Sequence, residues 1–343
     1  MNTSTSDNWQ WARRLESLGF LIQRRVHEML TSGETGLSIP VAEEGGDTIY
    51  AIDRRVEPLI EEQIAAWPEE CFPLLLIAEG MGHDGRRRFG RQDQPIRYRV
   101  ILDPIDGTRG LMYDKRSAWF LAAVAADQGE QTGLRDTFAS VMVELPTSKQ
   151  AFCDSFIAVQ GQPTQGQRTS VGGFGAQIRL PSPSRSTSLA GGFAQVTNFF
   201  QGTKVLAAEL METIADAVVP AGHTSTSAVL EDQYISTGGQ WVELMTGHDR
   251  FCCDLRPLFY QLLQPETQRK FPTLVCHPYD AAGLLAARQA GVIITDGFGR
   301  ELNARLNVDQ PVHWCGYANN SLRESIEPVI QSWLRERGLF PEN

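Results

Sequence analysis

Apolar residues near the start of the chain recur at the spacing of one face of a helix. Trp11, Leu18 and Val26 belong to this series, and the polar stretch TSGETG predicts where the helix ends. An acidic, glycine-containing segment, VAEEGGDT, then precedes a predicted short strand at 49–52 and an amphipathic helix, with Asp53 as a candidate N-cap. The opening part of the chain is therefore expected to be helical scaffold around one short strand.

Three short apolar runs further along the chain lead to acidic residues. FPLLLIAEG ends at Glu79, and YRVILDPID carries both Asp103 and Asp106. A strand predicted at 273–276 leads to Asp280, at the head of an alanine- and leucine-rich helix. Because the strands of an α/β sheet bring their ends to a common crevice, these four carboxylates are expected to lie close together.

The rest of the pattern divides the chain into two halves. SAWFLAAVAAD and FASVMVEL are further strand candidates, whereas 161–190 is polar and glycine-rich and is interpreted as a connection. Residues 1–160 would form a metal- and phosphate-binding half, and 191–343 an α/β half that completes the metal site and the substrate pocket. In the second half we predict a strand at 292–295 and a last helix capped by Ser321.

Composition and charge restrict the possible functions. The 343 residues carry a net charge of -10, which argues against a broad surface for a nucleic acid polymer. The basic run at 86–88 is expected to be a solvated hairpin or loop. The chain lacks the apolar core of a signal peptide and a stretch of roughly 18 apolar residues, so we expect a cytoplasmic protein without membrane contact. Its six cysteines show no C-x-x-C spacing and are expected to be buried thiols.

Several carboxylates gathered in one crevice require compensation. Mutual repulsion and desolvation would protonate some of them unless a cation is bound. Oxygen ligands without a histidine or cysteine cluster favour a hard ion, Mg²⁺ first with Mn²⁺ as a substitute. Two such ions would form a clamp for the attacking and leaving oxygens of a phosphoryl transfer, so a small phosphorylated metabolite is the expected partner.

The motif DPIDGT, residues 103–108, carries most of this interpretation. Pro104 would fix the backbone so that both aspartates face the metal ions while the Ile105 carbonyl turns inward as a neutral ligand. Gly107 allows a close approach of the backbone, and the N–H groups of Gly107 and Thr108 could receive phosphate oxygens. The alternative interpretation is a rigid, self-hydrogen-bonded loop.

Three segments also carry a resemblance to a known family. They are DPIDGT at 103–108, IAEG at 77–80 and HPYDAAGLLAARQAGVIITDGFG at 277–299. In order and spacing they resemble the inositol monophosphatase family, within the superfamily that includes fructose-1,6-bisphosphatase. The resemblance implies a mixed α+β, five-layer α/β/α/β/α sandwich, Mg²⁺ dependence with two or three ions and hydrolysis of small phosphate monoesters. It also implies lithium sensitivity, as in many members, and a homodimer.

The resemblance further implies which residues hold the metal ions. Glu79, Asp103 and the Ile105 carbonyl would bind the first ion. Asp103, Asp106 and Asp280 would bind the second. This assignment shares Asp103 between the two ions.

The same resemblance assigns the catalytic residues. Thr108 would orient the attacking water together with Glu79, so Glu79, Asp103 and Thr108 form the predicted catalytic set, without a covalent intermediate. Asp47 occupies the place of an acidic residue on a mobile loop, which would help an additional ion to bind. Gly80 stands where the family usually has a second glutamate, so ion affinity or lithium response could differ.

The expected substrate pocket is the least specified part of the sequence. The resemblance places it in the second half, over 223–256, with an apparent insertion at 255–272 beside it. Asp249 or Asp254 could contact substrate hydroxyl groups, or both could be surface acids. Inositol phosphate, sugar bisphosphate, nucleotide 3′-phosphate and histidinol phosphate all stay open, with inositol 1-phosphate expected to be a modest substrate at best.

Two other classes of function fit parts of the pattern. A haloacid-type phosphatase uses an aspartyl nucleophile in D-x-D-x-T, but two residues separate Asp103 from Asp106 instead of one, which disfavours it. A non-catalytic metal- or phosphate-binding relative, or a scaffold of the same fold, is the main alternative to an enzyme.

Overall fold

The structure is a computed structural model that describes residues 5–44, 47–81, 84–171, 175–220, 222, 228–271 and 274–341. The side chains at 43, 44 and 47 also lie outside this description. Asp47, the predicted mobile-loop acid, is one of these, so its role stays a prediction. Within the described ranges, no helix combines the length and the apolar character that crossing a membrane requires.

The described chain contains both helices and strands, and most of the strands lie between α2 and α4. The helices are α1 (Thr5–Thr31), α2 (Ala51–Ala65), α3 (Thr108–Leu111), α4 (Lys204–Val218), α5 (Thr237–Met245), α6 (Arg256–Phe259), α7 (Pro265–Lys270), α8 (Leu284–Gln289) and α9 (Asn320–Glu336). The strands are β1 (Pro40–Glu44), β2 (Asp47–Tyr50), β3 (Leu74–Ala78), β4 (Arg86–Phe89), β5 (Tyr98–Asp106), β6 (Ala118–Ala126), β7 (Thr137–Leu145), β8 (Phe152–Val159), β9 (Gln165–Ser170), β10 (Ala176–Ile178), β11 (Gly192–Val196), β12 (Val229–Leu230), β13 (Asp249–Asp254), β14 (Ile293–Thr295) and β15 (Trp314–Tyr317).

Two sheets organise these elements into layers. The larger sheet has the strand order β10-β9-β8-β7-β6-β5-β3-β4, the smaller one has the order β12-β11-β13-β15-β14, and β1 pairs with β2 as a separate hairpin. Helices α1 and α2 pack on one face of the larger sheet, α5 and α8 lie between the sheets, and α4 and α9 cover the smaller sheet. The predicted α/β/α/β/α sandwich of the mixed α+β class is confirmed.

Strand β6 separates two parts of the hydrophobic core. Trp119 and Leu121 belong to the cluster between the sheets, while the intervening Phe120 belongs to the cluster beneath α1. This alternation is what a strand buried on both faces requires. Helix α1 comes very close to the sheet at Gly19, where a Cβ would lie 2.7 Å from side-chain carbons of Phe120 and Val143.

The starts of two helices differ from those predicted. Strand β2 ends at Tyr50, and Asp53 is already inside α2, where its Oδ2 accepts a hydrogen bond from Tyr50 N at 2.9 Å. Helix α9 is capped by Asn319, whose Oδ1 accepts from Leu322 N at 3.1 Å, and not by Ser321. Asn319 has the extended backbone that a capping residue needs, whereas Ser321 lies within the first turn.

The strand predicted at 273–276 does not form in its described part, which begins at residue 274. Only Cys276 pairs, through an isolated bridge. The next residue, His277, donates its backbone N–H to Asp280 Oδ2 at 2.6 Å, so a turn held by a side chain replaces further sheet pairing.

The polar segment 161–190 contains more regular structure than the sequence predicted. Strands β9 and β10 lie within it and extend the larger sheet to its edge. Arg168 of β9 holds Asp154 of β8 through N–O contacts of 2.6 and 2.7 Å. The other edge is β4, the outer arm of a hairpin with β3, so the solvated hairpin predicted at 86–88 is confirmed. Polar side chains suit both positions because edge strands are exposed to water.

Replacing Gly19 with alanine is expected to lower the free energy of unfolding by about 1–3 kcal/mol, because the added methyl group overpacks the contact with Phe120 and Val143. Urea denaturation followed by circular dichroism measures this change. Ser17→Ala, on the exposed face of the same helix, is the control and should change the free energy by less than about 0.5 kcal/mol. Equal stability of Gly19→Ala and wild type would contradict the close packing of α1.

Candidate metal centre and active site

A bulge in β5 sets the positions of two aspartates. Asp103 lies opposite Leu121 of β6 and Asp106 opposite Trp119, so three residue steps on β5 face two on β6. In a regular strand, residues three apart point to opposite faces, and the extra residue lets both carboxylates reach one cavity. Ile105 N donates to Asp103 Oδ1 at 2.9 Å and fixes the turn between them.

The carboxylate of Asp106 also anchors helix α5. It accepts hydrogen bonds from Thr237 N at 3.2 Å, from Gly238 N at 2.6 Å and from the Ser236 hydroxyl at 2.8 Å. These donors lie at the start of α5, where unpaired N–H groups and the helix dipole favour a negative charge. Asp106 therefore connects the larger sheet to the helices between the sheets.

A third aspartate comes from the second half of the chain. Asp280, in the turn before α8, has a carboxylate oxygen within 4.8 Å of those of Asp103 and Asp106. Glu79, directly after β3, lines the same cavity, and the Tyr279 hydroxyl donates to its Oε1 at 3.4 Å. The structure therefore brings together the four acids that the sequence placed near strand ends, while their roles as metal ligands stay predictions.

Burial and mutual repulsion make this cluster unfavourable without a cation. Asp103 and Asp106 are only 3% and 5% exposed. Burial raises the pKa of Asp103 well above its usual range, and the charges of Asp106, Glu79 and Asp280 raise it further. Burial also raises the pKa of Asp106 to about 7, against the opposing effect of its hydrogen bonds from α5. An all-oxygen cluster of this kind fits a hard divalent cation.

Thr108 lies next to these acids at the start of α3. Its Oγ1 is 2.7 Å from the Ile105 carbonyl oxygen and 3.1 Å from Asp53 Oδ1. The single hydroxyl hydrogen can serve either acceptor, and the oxygen can still accept a hydrogen bond itself. Gly107, just before it, has a φ of +103°, and a Cβ there would lie 3.0 Å from Ile235 O, so the turn requires glycine.

Another part of the cavity wall is cationic and aromatic. Arg109 and Arg256 line it together with Phe199 and Phe200. The guanidinium carbon of Arg256 lies 4.7 Å from the ring centre of Phe199 and 5.3 Å from that of Phe200, and that of Arg109 lies 5.2 Å from Phe200. These distances are those of cation–π contacts. The cavity thus has an acidic region and a region that presents guanidinium groups and rings.

The two acids predicted to contact substrate do not line this cavity. Both carboxylate oxygens of Asp254 accept from the Arg256 side chain, from Nε at 2.9 Å and from Nη2 at 2.5 Å. Asp249 accepts from Cys252 Sγ at 3.0 Å, and burial raises its pKa to about 6. Neither is a surface acid, because they are 1% and 6% exposed. Asp254 adjoins the cavity through Arg256, which lines it.

Sequence reasoning missed Asp53, Arg256 and the two phenylalanines. Asp53 was explained by its position near a helix start. Its contact with Thr108 could not be seen locally, because the two residues are 55 positions apart. For Arg256, Phe199 and Phe200, the positions of the residues relative to strands did offer a signal. Phe199 and Phe200 follow β11, and Arg256 follows β13, and parallel neighbours such as these two strands end at the same edge of the sheet.

The sequence matches no protein-family model and no curated protein, whereas solved structures match nearly the whole chain. Fructose-1,6-bisphosphatase of Leishmania major matches with a TM-score of 0.67 and 12% identity, over 98% of this chain and 96% of that one. A Pyrococcus horikoshii protein with similarities to inositol-1 monophosphatase matches with a TM-score of 0.56 and 16% identity, over 89% and 94%. A candidate sedoheptulose-1,7-bisphosphatase of Toxoplasma gondii matches with a TM-score of 0.62 and 13% identity, over 92% and 93%.

These likenesses confirm the resemblance at the level of the fold. The chain has the sandwich fold shared by inositol monophosphatases and fructose-1,6-bisphosphatases. At such low identity the fold does not by itself assign an activity or a substrate.

The raised pKa values predict that the metal-free protein loses stability as the pH rises. A carboxyl group with a higher pKa in the folded state stabilises the fold below its unfolded-state pKa. That stability is lost as the pH rises through the folded-state value, about 7 for Asp106. In EDTA, the melting temperature should therefore fall between about pH 5 and about pH 8, and Mg²⁺ should reverse much of the fall at the higher pH.

Asp103→Asn is the matched variant for this measurement. The amide removes one charge and keeps an oxygen for the hydrogen bond from Ile105 N. In EDTA near neutral pH the variant should melt at a higher temperature than wild type, and it should gain less from Mg²⁺. A wild-type melting temperature in EDTA that stays constant or rises over this pH range would contradict the electrostatic description of the cluster.

Proposed function

We propose that the protein is a Mg²⁺-dependent phosphatase that hydrolyses a small phosphate monoester with a water molecule and without a covalent intermediate. The observation that carries this proposal is the convergence of Asp103, Asp106 and Asp280 in one cavity with the Asp53–Thr108 pair. A site for cations beside a hydroxyl–carboxylate pair meets two needs of the reaction, neutralisation of charge and acceptance of a proton.

The residues that would hold Mg²⁺ are those that converge near the bulge of β5. Asp103, Asp106 and Asp280 offer carboxylate oxygens, and Glu79 and Ile105 line the same cavity, so the Glu79 carboxylate and the Ile105 carbonyl are the further proposed ligands. Neutralising the phosphate and making a water molecule more acidic are the contributions expected from bound ions. The raised pKa of Asp103 supports this assignment, because the cluster gains stability when positive charge enters it.

The Asp53–Thr108 pair is proposed to accept the proton of the attacking water. Thr108 Oγ1 can accept a hydrogen bond from water while its own hydrogen points to Asp53 Oδ1, 3.1 Å away. This arrangement would orient the water and hold its proton at the carboxylate of Asp53. Glu79 was predicted both to bind the first metal ion and to orient the water with Thr108; we propose Asp53 for the second role and keep metal binding for Glu79.

Binding of the transferred phosphate is proposed for the backbone between the bulge and α3. Gly107 and Thr108 line the cavity, and their N–H groups are the predicted donors to the phosphate oxygens. A non-catalytic phosphate-binding protein would need these donors and the acids, but it would not need a hydroxyl within hydrogen-bonding distance of a further carboxylate in the same cavity. The Asp53–Thr108 contact therefore favours the enzyme over the binding protein.

Release of inorganic phosphate from a panel of monoesters tests the proposal. Release should require Mg²⁺ and stop in EDTA, and Asp280→Asn should lower kcat/KM by roughly 100-fold or more because one charge of the ion site is lost. The amide can keep the hydrogen bond from His277 N, so the fold should persist. Asp106→Asn is a poorer test because it also disturbs the start of α5.

Asp296→Asn is the matched control for this assay. Asp296 also accepts backbone hydrogen bonds in a turn, from Phe298 N and Arg300 N, but it does not line the cavity. The kcat/KM of the Asp296→Asn variant should stay close to that of wild type. If no monoester is hydrolysed in Mg²⁺, or if Asp280→Asn is as active as wild type, the proposed site is wrong.

Thr108→Val tests the proton-accepting pair. The substitution keeps the shape of the side chain and removes the hydroxyl, so kcat should fall by roughly 100-fold or more while Mg²⁺ binding persists. Calorimetric titration with Mg²⁺ and steady-state kinetics measure the two effects separately. An increase in KM alone, or a loss of Mg²⁺ binding, would argue against the proposed role of Thr108.

A further inference from the structure

Arg256 is held rigidly at the cavity wall. Its Nε and Nη2 donate to Asp254, at 2.9 and 2.5 Å, and its Nη1 donates to Leu274 O at 2.6 Å. The residue is 4% exposed and lines the cavity in which the acids converge. Such a guanidinium group loses little conformational freedom when it binds a ligand, since its position is already fixed.

The contacts of Arg256 leave part of its hydrogen-bonding capacity unused. A guanidinium group carries five N–H bonds, and the side-chain contacts to described residues occupy three of them. Asp254 uses both of its oxygens on this arginine and does not line the cavity. This part of the wall therefore contains a cationic side chain that can only donate hydrogen bonds, where a carboxylate that accepts hydroxyl groups had been expected.

A second guanidinium group lies nearby. The guanidinium carbons of Arg109 and Arg256 are 5.2 and 5.3 Å from the ring centre of Phe200, so they are at most about 10.5 Å apart. The ring between them provides favourable cation–π contacts to both. Arg109 follows Thr108 in α3, next to the proposed phosphate site, whereas Arg256 begins α6, two residues after β13 ends. The guanidinium groups of Arg109 and Arg256 thus lie at two different positions along the cavity wall.

The surrounding chain supports this wall. Gln233 donates to Val196 O at 3.0 Å and accepts from Asn198 N at 3.0 Å, which fixes the segment that leads to Phe199. The insertion packs against the same loop, because a Cβ at Gly202 would lie 3.4 Å from Phe271. Gln233 and the insertion at 255–272 therefore support the loop that carries Phe199 and Phe200.

From this arrangement we infer that the alcohol part of the substrate carries a second anionic group, a phosphate or a carboxylate, that binds to Arg256 while Phe199 and Phe200 contact its carbon skeleton. The inference rests on the proposed phosphatase function and names the substrate class of that site. A neutral polyol would leave the spare N–H groups of a buried guanidinium with weaker partners, whereas an anion forms charge-assisted hydrogen bonds with them.

Matched substrate pairs test the inference. Fructose 1,6-bisphosphate is compared with fructose 1-phosphate, and 2-phosphoglycerate with glycerol 2-phosphate, so that each pair differs in the second anionic group. The doubly anionic member of at least one pair should have a kcat/KM roughly 10- to 100-fold higher. The first pair tests for a second phosphate, and the second pair tests for a carboxylate.

Arg256→Lys should reduce this preference by roughly 10-fold or more, because lysine keeps the charge but loses the planar set of donors. The double variant Asp254→Asn/Arg256→Gln removes both charges together and avoids leaving a buried carboxylate unpaired. It should abolish the preference. The matched control is Arg168→Lys, because Arg168 also binds an aspartate through Nε and Nη2 but lies in β9, away from the cavity. The control should keep the preference of wild type.

The possible results separate the inference from the function on which it rests. No phosphate release from any of the four compounds in Mg²⁺ would overturn the phosphatase proposal and the inference together. Hydrolysis with equal kcat/KM within both pairs would overturn the inference alone. A preference that survives in Arg256→Lys and in the double variant would overturn the assignment to Arg256.

Discussion

Repulsion among buried carboxylates is the constraint on which the organisation of this protein depends. Asp103, Asp106 and Asp280 offer oxygens within 4.8 Å of one another, in a place where water does little to screen their charges. The start of α5 compensates part of the negative charge through its hydrogen bonds to Asp106. Burial, together with the remaining negative charge of Asp106, Glu79 and Asp280, raises the pKa of Asp103. The charged cluster therefore destabilises the metal-free fold, and binding of a divalent cation would relieve this cost.

Residues from both halves of the chain line the cavity. Asp103 and Asp106 come from the larger sheet and Asp280 from the turn before α8, while Arg256 begins the helix that follows β13 of the smaller sheet. The acids gather ions, and the arginine and the rings shape another part of the wall. Recognition of the phosphate and recognition of the alcohol can therefore be separate, because different layers of the fold supply the residues for each.

Local patterns predicted the acids well because a strand end is visible where an apolar run stops. Glu79 and the Asp103–Asp106 pair were found in this way, and the layered fold followed from the resemblance of their motifs. The Asp53–Thr108 contact depends on how α2 sits against β5, which no local pattern records. Strands β9 and β10 were not predicted, because polar edge strands lack the alternation of apolar residues that identifies half-buried strands. Arg256 lies two residues after β13, so the same strand-end pattern also marks its position.

At the bulge in β5, the number of residues between Asp103 and Asp106 matters as much as the identity of their side chains. Loss of either Pro104 or Ile105 would leave every acid in the sequence and, in a regular pleat, both aspartates on the same face, but it would remove the turn in which Ile105 N binds Asp103 Oδ1 and Ile105 O binds Thr108 Oγ1. A residue inserted between the two aspartates, with the bulge kept, would move Asp106 by one position along β6 and turn its side chain to the other face of the sheet. At this site a one-codon deletion or insertion should therefore be more damaging than most exchanges of one side chain for another, because the distance between two aspartates is counted in whole residues.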